Sequence, residues 1–251
     1  ALSDVSAIVS VDALLIAASH FKTPEIGVLN GHYRILNPGS VGEAAYWQYQ
    51  SRIKQSEAAL GSTLGAHGAF YIFRRALFTP LEADTINDDF VLPMKIVAAG
   101  YRAEYESRIM ALEQEHASDN MDHQRRRRIA AGNFQQLLRL KSLLSPTYGG
   151  IAFAFLSGKG LRVLMPFLMI IALLGSIVLA NDYTVFMLLA CLQTLVYVIA
   201  IMQIIIKPKR SHKIIQALAY LVSGYTAGLI GSLRYLFGME RGRWKRVDQN
   251  N

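Results

Sequence analysis

The chain of 251 residues contains one cysteine, Cys191. That scarcity excludes an intramolecular disulfide and a cysteine zinc cluster, and Cys191 itself lies inside an apolar run. Acidic residues are also few: 18 Asp and Glu against 26 Lys and Arg leave a formal net charge of +8. Charge of either sign is missing from two long stretches, Val163 to Ala180 and Val185 to Ile206. A soluble domain rarely combines 52% hydrophobic residues and a mean hydropathy of +0.26 with such a basic balance. The combination points to membrane attachment and an anionic partner, such as lipid headgroups, nucleotide phosphates or nucleic acid. The first residue is not Met and the opening lacks the pattern of a secretory leader, so the sequence is expected to begin partway through a longer protein.

Up to about Glu115 the chain reads as mixed α/β. Ser10 precedes "VDALLIAASHF", a capped helix; "EIGVLNGHYRIL" has the β-branched and aromatic content of strands interrupted by Gly31; "GEAAYWQYQSRIKQSEAAL" is a long helix. A strand in "GAHGAFYIF", a helix beginning near Asn87, and two further strands in "YRAEYES" and "IMALEQE" complete a sheet with helices packed on it. From Asp122, "DHQRRRRIAAGNFQQLLRLKSLL" has a basic beginning and an apolar leucine face, suited to lying flat in a membrane interface.

The two uncharged stretches each reach roughly 30 Å as helices, the thickness of a hydrocarbon core, and only "NDYT" joins them. That connector has no Lys or Arg, whereas "KPKRSHK" after the second stretch has four, which places the latter and the α/β part in the cytoplasm. Ile214 to Phe237 is a third apolar segment, broken by Gly224, Gly228, Gly231 and Arg234 and followed by the basic "ERGRWKRVD". Sequence leaves open whether it crosses or re-enters. The expected divisions are residues 1–121 for the α/β part, 122–160 for the interface region, 161–238 for the membrane region and 239–251 for the basic tail.

Chemistry concentrates in "DTINDDFVLPMK", where Asn87 begins a helix whose first turn carries Asp88 and Asp89. By itself this is an ordinary helix start, with Asn87 as cap and two carboxylates favoured by the positive end of the dipole. Four consecutive arginines, Arg125 to Arg128, repel one another unless something anionic sits nearby: a lipid surface or a phosphate group.

Taken together and in this order, "SDVSA", "GAHGAFYIFRR", "TINDDFVLPMKIVAAGYR" and "HQRRRR" before membrane helices resemble the family 2 glycosyltransferases, in particular the membrane-bound enzymes that make bacterial polysaccharides. The resemblance runs over nearly the whole chain. It implies a GT-A-like fold, here partial, whose first strands and early nucleotide-binding aspartate would lie before Ala1. It further implies a nucleotide-sugar donor, a saccharide or lipid-linked acceptor, membrane lipids as partners and a divalent metal, Mg or Mn. Asp4 falls where the metal-binding DxD motif begins, but Val5 and Ser6 follow, so the second carboxylate is missing and the ion would be held through one carboxylate, phosphates and waters.

Counting back from Gly100-Tyr101 places Asp89 on the aspartate of the family's "ED" motif, the base of the reaction, and Asp88 on its glutamate. Gln124 and Arg127 match Q-x-x-R, with Arg128 in place of the motif's tryptophan, and would stabilise the departing diphosphate. Gly65, His67 and Gly68 of "GAHG" stand where a sugar approaches the backbone closely; an ordinary packed histidine and a tight strand entrance are the equal alternatives. The expected function is inverting glycosyl transfer at the cytoplasmic face of the inner membrane in polysaccharide synthesis. The competing expectation is a non-enzymatic, membrane-anchored module of a polysaccharide export system. Nucleic acid is not expected as a partner, because the basic residues flank membrane helices and no nucleic-acid-binding motif is present.

Overall fold

The computed structural model describes residues 1–36, 41–113, 119–206 and 212–240, with backbone alone for 41–46 and 119–126. The N-terminal part is one mixed sheet. Its strands are β1 (Leu2–Ser3), β2 (Ala7–Val9), β3 (Ile26–Ile35), β4 (Phe70–Phe73) and β5 (Arg102–Glu113), in spatial order β1-β4-β3-β5-β2. The central pair β3 and β5 is parallel, and the other pairs are antiparallel.

Alternation along the strands sends successive side chains to opposite faces. Val28, Tyr71 and Ala103 point to one core, shared with helix α3 (Asp88–Ala98). Leu29, Phe70, Ile72 and Ile109 point to the other, shared with helix α1 (Ala13–His20) and with Trp47 of helix α2 (Val41–Ala59). Gly27 is dictated by this layering, since a Cβ there would stand 2.5 Å from Ile96 Cγ2 and 2.7 Å from Tyr101 Cβ.

Two local expectations change. "EIGVLNGHYRIL" is one strand that continues through Gly31, and "YRAEYES" with "IMALEQE" is likewise a single strand, because a bulge absorbs the irregularity: Gly31 pairs with Glu106, and His32 already with Met110. Ser10 does not cap α1 with its hydroxyl, which accepts the Met110 N–H at 3.2 Å and so fastens the helix entrance to β5.

Beyond the sheet, α4 (Asp119–Arg139) leads to α5 (Gly150–Phe155), one π-helical turn (Leu156–Gly160) and α6 (Leu161–Leu179). Helices α7 (Thr184–Ile206) and α8 (Lys213–Leu236) follow. The runs Gly150–Leu179, Thr184–Ile206 and Lys213–Leu236 are long and apolar enough to cross a membrane. Large apolar side chains such as Ile171, Val178, Leu188 and Ile205 face outward. Gln193 of α7 is satisfied internally: its Nε2 donates to the Met169 carbonyl at 2.9 Å and to Tyr197 Oη at 2.6 Å.

The sheet part joins this region through a shared core. Phe90 of α3 stacks on Phe155 of α5 at 6.2 Å, and Leu140, Leu143 and Ala154 bury against Leu92 and Met94. Truncating a buried Leu or Met to Ala costs roughly 2–5 kcal/mol, so these contacts bind the two parts firmly.

Candidate active site at the start of helix α3

Proline 93 explains how this site is tied together. Inside α3 it has no N–H to give to the carbonyl of Asp89, four residues earlier. That carbonyl instead accepts the Ala66 N–H at 2.8 Å, which pins the "GAHG" loop to the first turn of the helix. Gly65 makes the approach possible: its φ is +69°, and a Cβ would lie 2.3 Å from the Phe90 ring. A second tie comes from buried Glu57, which accepts the Leu64 N–H at 2.9 Å and Lys54 Nζ at 3.0 Å, while Lys54 also donates to the Leu64 carbonyl.

This loop brings the two predicted carboxylates together across 85 residues of sequence. Asp4 sits in the turn after β1, where its N–H donates to the Ala69 carbonyl at 3.0 Å. A Cβ on Gly68 would lie 3.4 Å from Asp89 Oδ2 and 3.8 Å from Asp4 Oδ2, so the glycine borders both groups with nothing larger than hydrogen. Asp88, one residue earlier on the helix, is exposed.

The electrostatics single out Asp89. Burial pushes its carboxyl up to about 6, the Asp88 carboxylate adds to the rise, the Lys159 ammonium and Arg128 guanidinium oppose it, and Asp4 adds a smaller push. The same acidic field, after burial itself, raises the hydroxyl of Tyr71 on β4. A half-buried carboxyl that exchanges its proton near neutral pH is the kind of group general-base chemistry uses.

The expected cap is not made. Asn87 occupies the N-cap position, but its side chain makes no capping bond; it donates to the Ile129 carbonyl at 3.4 Å and lies on Gly132 of α4. Buried Gln135 reinforces this junction by accepting the Ile86 N–H at 2.9 Å and donating to the Asp84 carbonyl at 2.9 Å. The α3 start thus serves as a seat for α4.

Along α4, Arg127 and Arg128 turn to different neighbours. Arg128 stands in the field of Asp89, whereas Arg127 Nε lies 3.5 Å from Glu240 Oε1, an oxygen that Arg234 Nε of α8 reaches at 2.7 Å. The cause is packing: Gly231 of α8 lies against the Arg127 carbonyl, and successive helical residues cannot share a face. The side chains of Gln124, Arg125 and Arg126 lie outside the described residues. Arg74 is structural, donating to the carbonyls of Ile26, Phe21 and Thr23 at 2.7–2.8 Å.

His67 stacks on Tyr33 with ring centroids 3.8 Å apart and meets Trp47 edge-on at 5.1 Å. Its Nδ1 accepts the Ala69 N–H at 3.2 Å, which leaves the proton of a neutral ring on Nε2. Trp47 and Lys159 are the neighbours that sequence reasoning passed over. Lys159 sits in the π-helical turn with Nζ 4.9 Å from the centre of the Phe90 ring. The visible sign was "SGKG", a lone lysine between glycines at the head of an apolar run.

Among the described residues, no group of three or more His, Cys, Asp or Glu is arranged to hold a metal. The donor set still fits a hard divalent cation of the kind that takes one or two carboxylates and completes its shell with substrate phosphates and water. Asp4 would supply that carboxylate, and the side-chain-free edge of Gly68 lies beside it.

Comparison with known proteins bears on family and fold. Residues 3–205 match the model of "Glycosyl transferase family group 2". The poly-beta-1,6-N-acetyl-D-glucosamine synthases of Staphylococcus aureus strains COL and N315 are each 30% identical over 111 residues, which cover 41% of this chain and 27% of theirs. The match therefore spans about a quarter of those relatives. Among solved structures, the mannosyltransferase PcManGT from Pyrobaculum calidifontis, in complex with GDP-Man and Mn2+, superposes with a TM-score of 0.62 at 17% identity, covering 95% of this chain and 62% of that one. The likeness shows a GT-A-like fold. With a family match over most of its length, the chain belongs to glycosyl transferase family group 2.

Proposed function

We propose that the chain carries the membrane anchor and the catalytic base of an enzyme that transfers a sugar from a nucleotide-sugar to a saccharide or lipid-linked acceptor, with inversion, in polysaccharide synthesis. The observation that carries this reading is the half-buried Asp89 carboxyl, raised to about 6 and held beside Asp4 across the bare edge of Gly68. Asp89 takes the proton of the attacking acceptor hydroxyl, so that the oxygen bonds to the anomeric carbon as the bond to the diphosphate breaks. Single displacement by an external hydroxyl inverts that carbon. Among the described guanidinium groups of α4, Arg128, in the field of Asp89, is the one best placed to meet negative charge, and Arg127 holds α4 against Glu240. Asp4 would hold a divalent ion, Mg or Mn, which when bound supplies positive charge to the diphosphate. The resemblance to a synthase of an N-acetylglucosamine polymer and to a mannosyltransferase bound to GDP-Man supports a nucleotide-sugar donor. The basic connector after α7 supports a cytoplasmic catalytic side in a bacterial inner membrane.

The test is transfer from a radiolabelled nucleotide-sugar by the full-length protein in lipid, comparing wild type with Asp89→Asn. Loss of transfer with donor affinity kept supports the reading. Near-normal turnover by a folded variant removes Asp89 as the base and favours a non-enzymatic module.

A further inference from the structure

Helix α8 satisfies the length and apolarity of a membrane span, yet the reach of the linker before it and the contacts at its far end bear on where its two ends lie. Helices α6 and α7 form an antiparallel pair: the four-residue turn after Leu179 reverses the chain, and Gln193 of α7 bonds to Met169 of α6. The start of α6 adjoins the sheet part, since Lys159 reaches Phe90. The end of α7 at Ile206 therefore returns to the catalytic side. Five residues, 207–211, and His212 connect it to α8. The seven steps from Ile206 to Lys213 extend at most about 25 Å, short of the roughly 30 Å of a hydrocarbon core, so α8 also starts on the catalytic side.

Its other end is there too. Gly231 packs so tightly on α4 that a Cβ would stand 2.7 Å from both Ala130 Cβ and the Arg127 carbonyl oxygen. Tyr235 meets Phe134 of α4 at 5.9 Å, and Glu240 bridges Arg127 and Arg234. Gly228 passes Pro166, in the second turn of α6. Twenty-four helical residues run about 36 Å, enough to travel along the surface from the end of α7, past the head of α6, to α4. The sequence agrees: Lys207, Lys209, Arg210 and Lys213 precede the helix and Arg241, Arg243, Lys245 and Arg246 follow it, and a crossing would put these two basic groups on opposite faces.

We propose that α8 does not cross the bilayer but lies in the interfacial layer of the catalytic-side leaflet, occupied by lipid along Ile214, Leu221, Ile230, Leu236 and Phe237, and braces α4 from the membrane side. The partner is the lipid surface itself. The proposal stands whether or not Asp89 is a base.

The experiment uses the full-length protein in cells with its native cysteines replaced, Cys191 among them, and single cysteines introduced as His212→Cys, Met239→Cys and Tyr183→Cys. All three positions are exposed. With an impermeant thiol reagent, His212→Cys and Met239→Cys should label alike and opposite to Tyr183→Cys. If Met239→Cys labels together with Tyr183→Cys and apart from His212→Cys, α8 crosses and the proposal fails. Because the readout compares the two ends of one helix, it holds even if the assigned cytoplasmic orientation is reversed. A second arm places Phe134→Cys with Tyr235→Cys and applies a short bifunctional thiol reagent. An intramolecular link is expected; failure to link while each cysteine reacts singly overturns the packing on α4.

Discussion

Two regions of the sheet part treat a carboxylate in opposite ways. At the start of α3, Asp89 is pushed up to about 6 by burial and by the acidic Asp88 and Asp4. On the far half of β5, Glu106 is drawn down to about 2, chiefly by its bonds from Arg108, with His20 Nε2 adding a contact at 2.8 Å. Burial raises both, but it is the largest influence on Asp89, whereas at Glu106 the bonds from Arg108 outweigh it. What differs is whether neighbours complete the charge. Glu106 is surrounded by donors and stays ionised as a structural tie between α1 and β5, whereas Asp89 is buried beside Asp88 and Asp4, Lys159 and Arg128 only partly offset the rise, and it is left with affinity for a proton. Only the second arrangement leaves chemistry for a substrate.

The largest test of that contrast is Asp89→Asn in the full-length enzyme, which should lower the transfer rate by on the order of 10² to 10⁴ while donor binding persists. The wild-type rate should fall on acidification with a midpoint near the raised value of about 6, because the base must be ionised. Asp88→Asn, on an exposed face, should cost far less.

Next in size is a pair of glycine substitutions. Gly65→Ala meets the Phe90 ring and an unfavourable positive φ, and should lower stability by about 1–3 kcal/mol in denaturant unfolding. Gly68→Ala makes ordinary contacts of 3.4 and 3.8 Å, so stability should move by less than about 0.5 kcal/mol, yet transfer should drop because the methyl borders both carboxylates. Equal stability losses in the two variants would refute the distinction.

Asp89→Asn should also make the protein more stable at neutral pH. A carboxyl whose folded pKa is raised favours the fold below its unfolded pKa near 4, and that contribution is lost as pH climbs through about 6. The variant does not titrate, so its advantage in unfolding midpoint should open between these values and be absent at the acid end.

The smallest effect belongs to Glu106→Gln, and its sign is reversed. A depressed folded pKa contributes stability above the ordinary carboxylate range, lost as pH falls toward about 2. The variant should be less stable at neutral pH by on the order of 1 kcal/mol or less, since Arg108 is largely exposed, and the gap should close with acid and narrow with salt.

Much of the fold was legible because the relevant signals are local. The uncharged runs became α6 and α7 nearly to the residue, and the α3 start fell at Asn87 as expected. Features that depend on partners distant in sequence were not legible. The β5 strand looks interrupted until its parallel neighbour takes up the bulge, and Asn87 looks like a cap until α4 claims its side chain. In the candidate site, motif order pointed to Asp4 and Asp89, which the fold sets on either side of Gly68, but Lys159 stands seventy residues beyond Asp89 and nothing local couples them. Arg127 and Arg128 are adjacent, and only the position of α8 decides which of them faces the carboxylates.

Pro93 carries a warning for anyone seeking a sturdier enzyme. Replacing a proline inside a helix by alanine is a routine stabilising move, with a propensity difference of about 3 kcal/mol. Here the restored N–H would compete with Ala66 for the Asp89 carbonyl. The helix would gain a bond and the 65–68 loop would lose its anchor, so a hardened scaffold would come with a loosened edge beside Asp89.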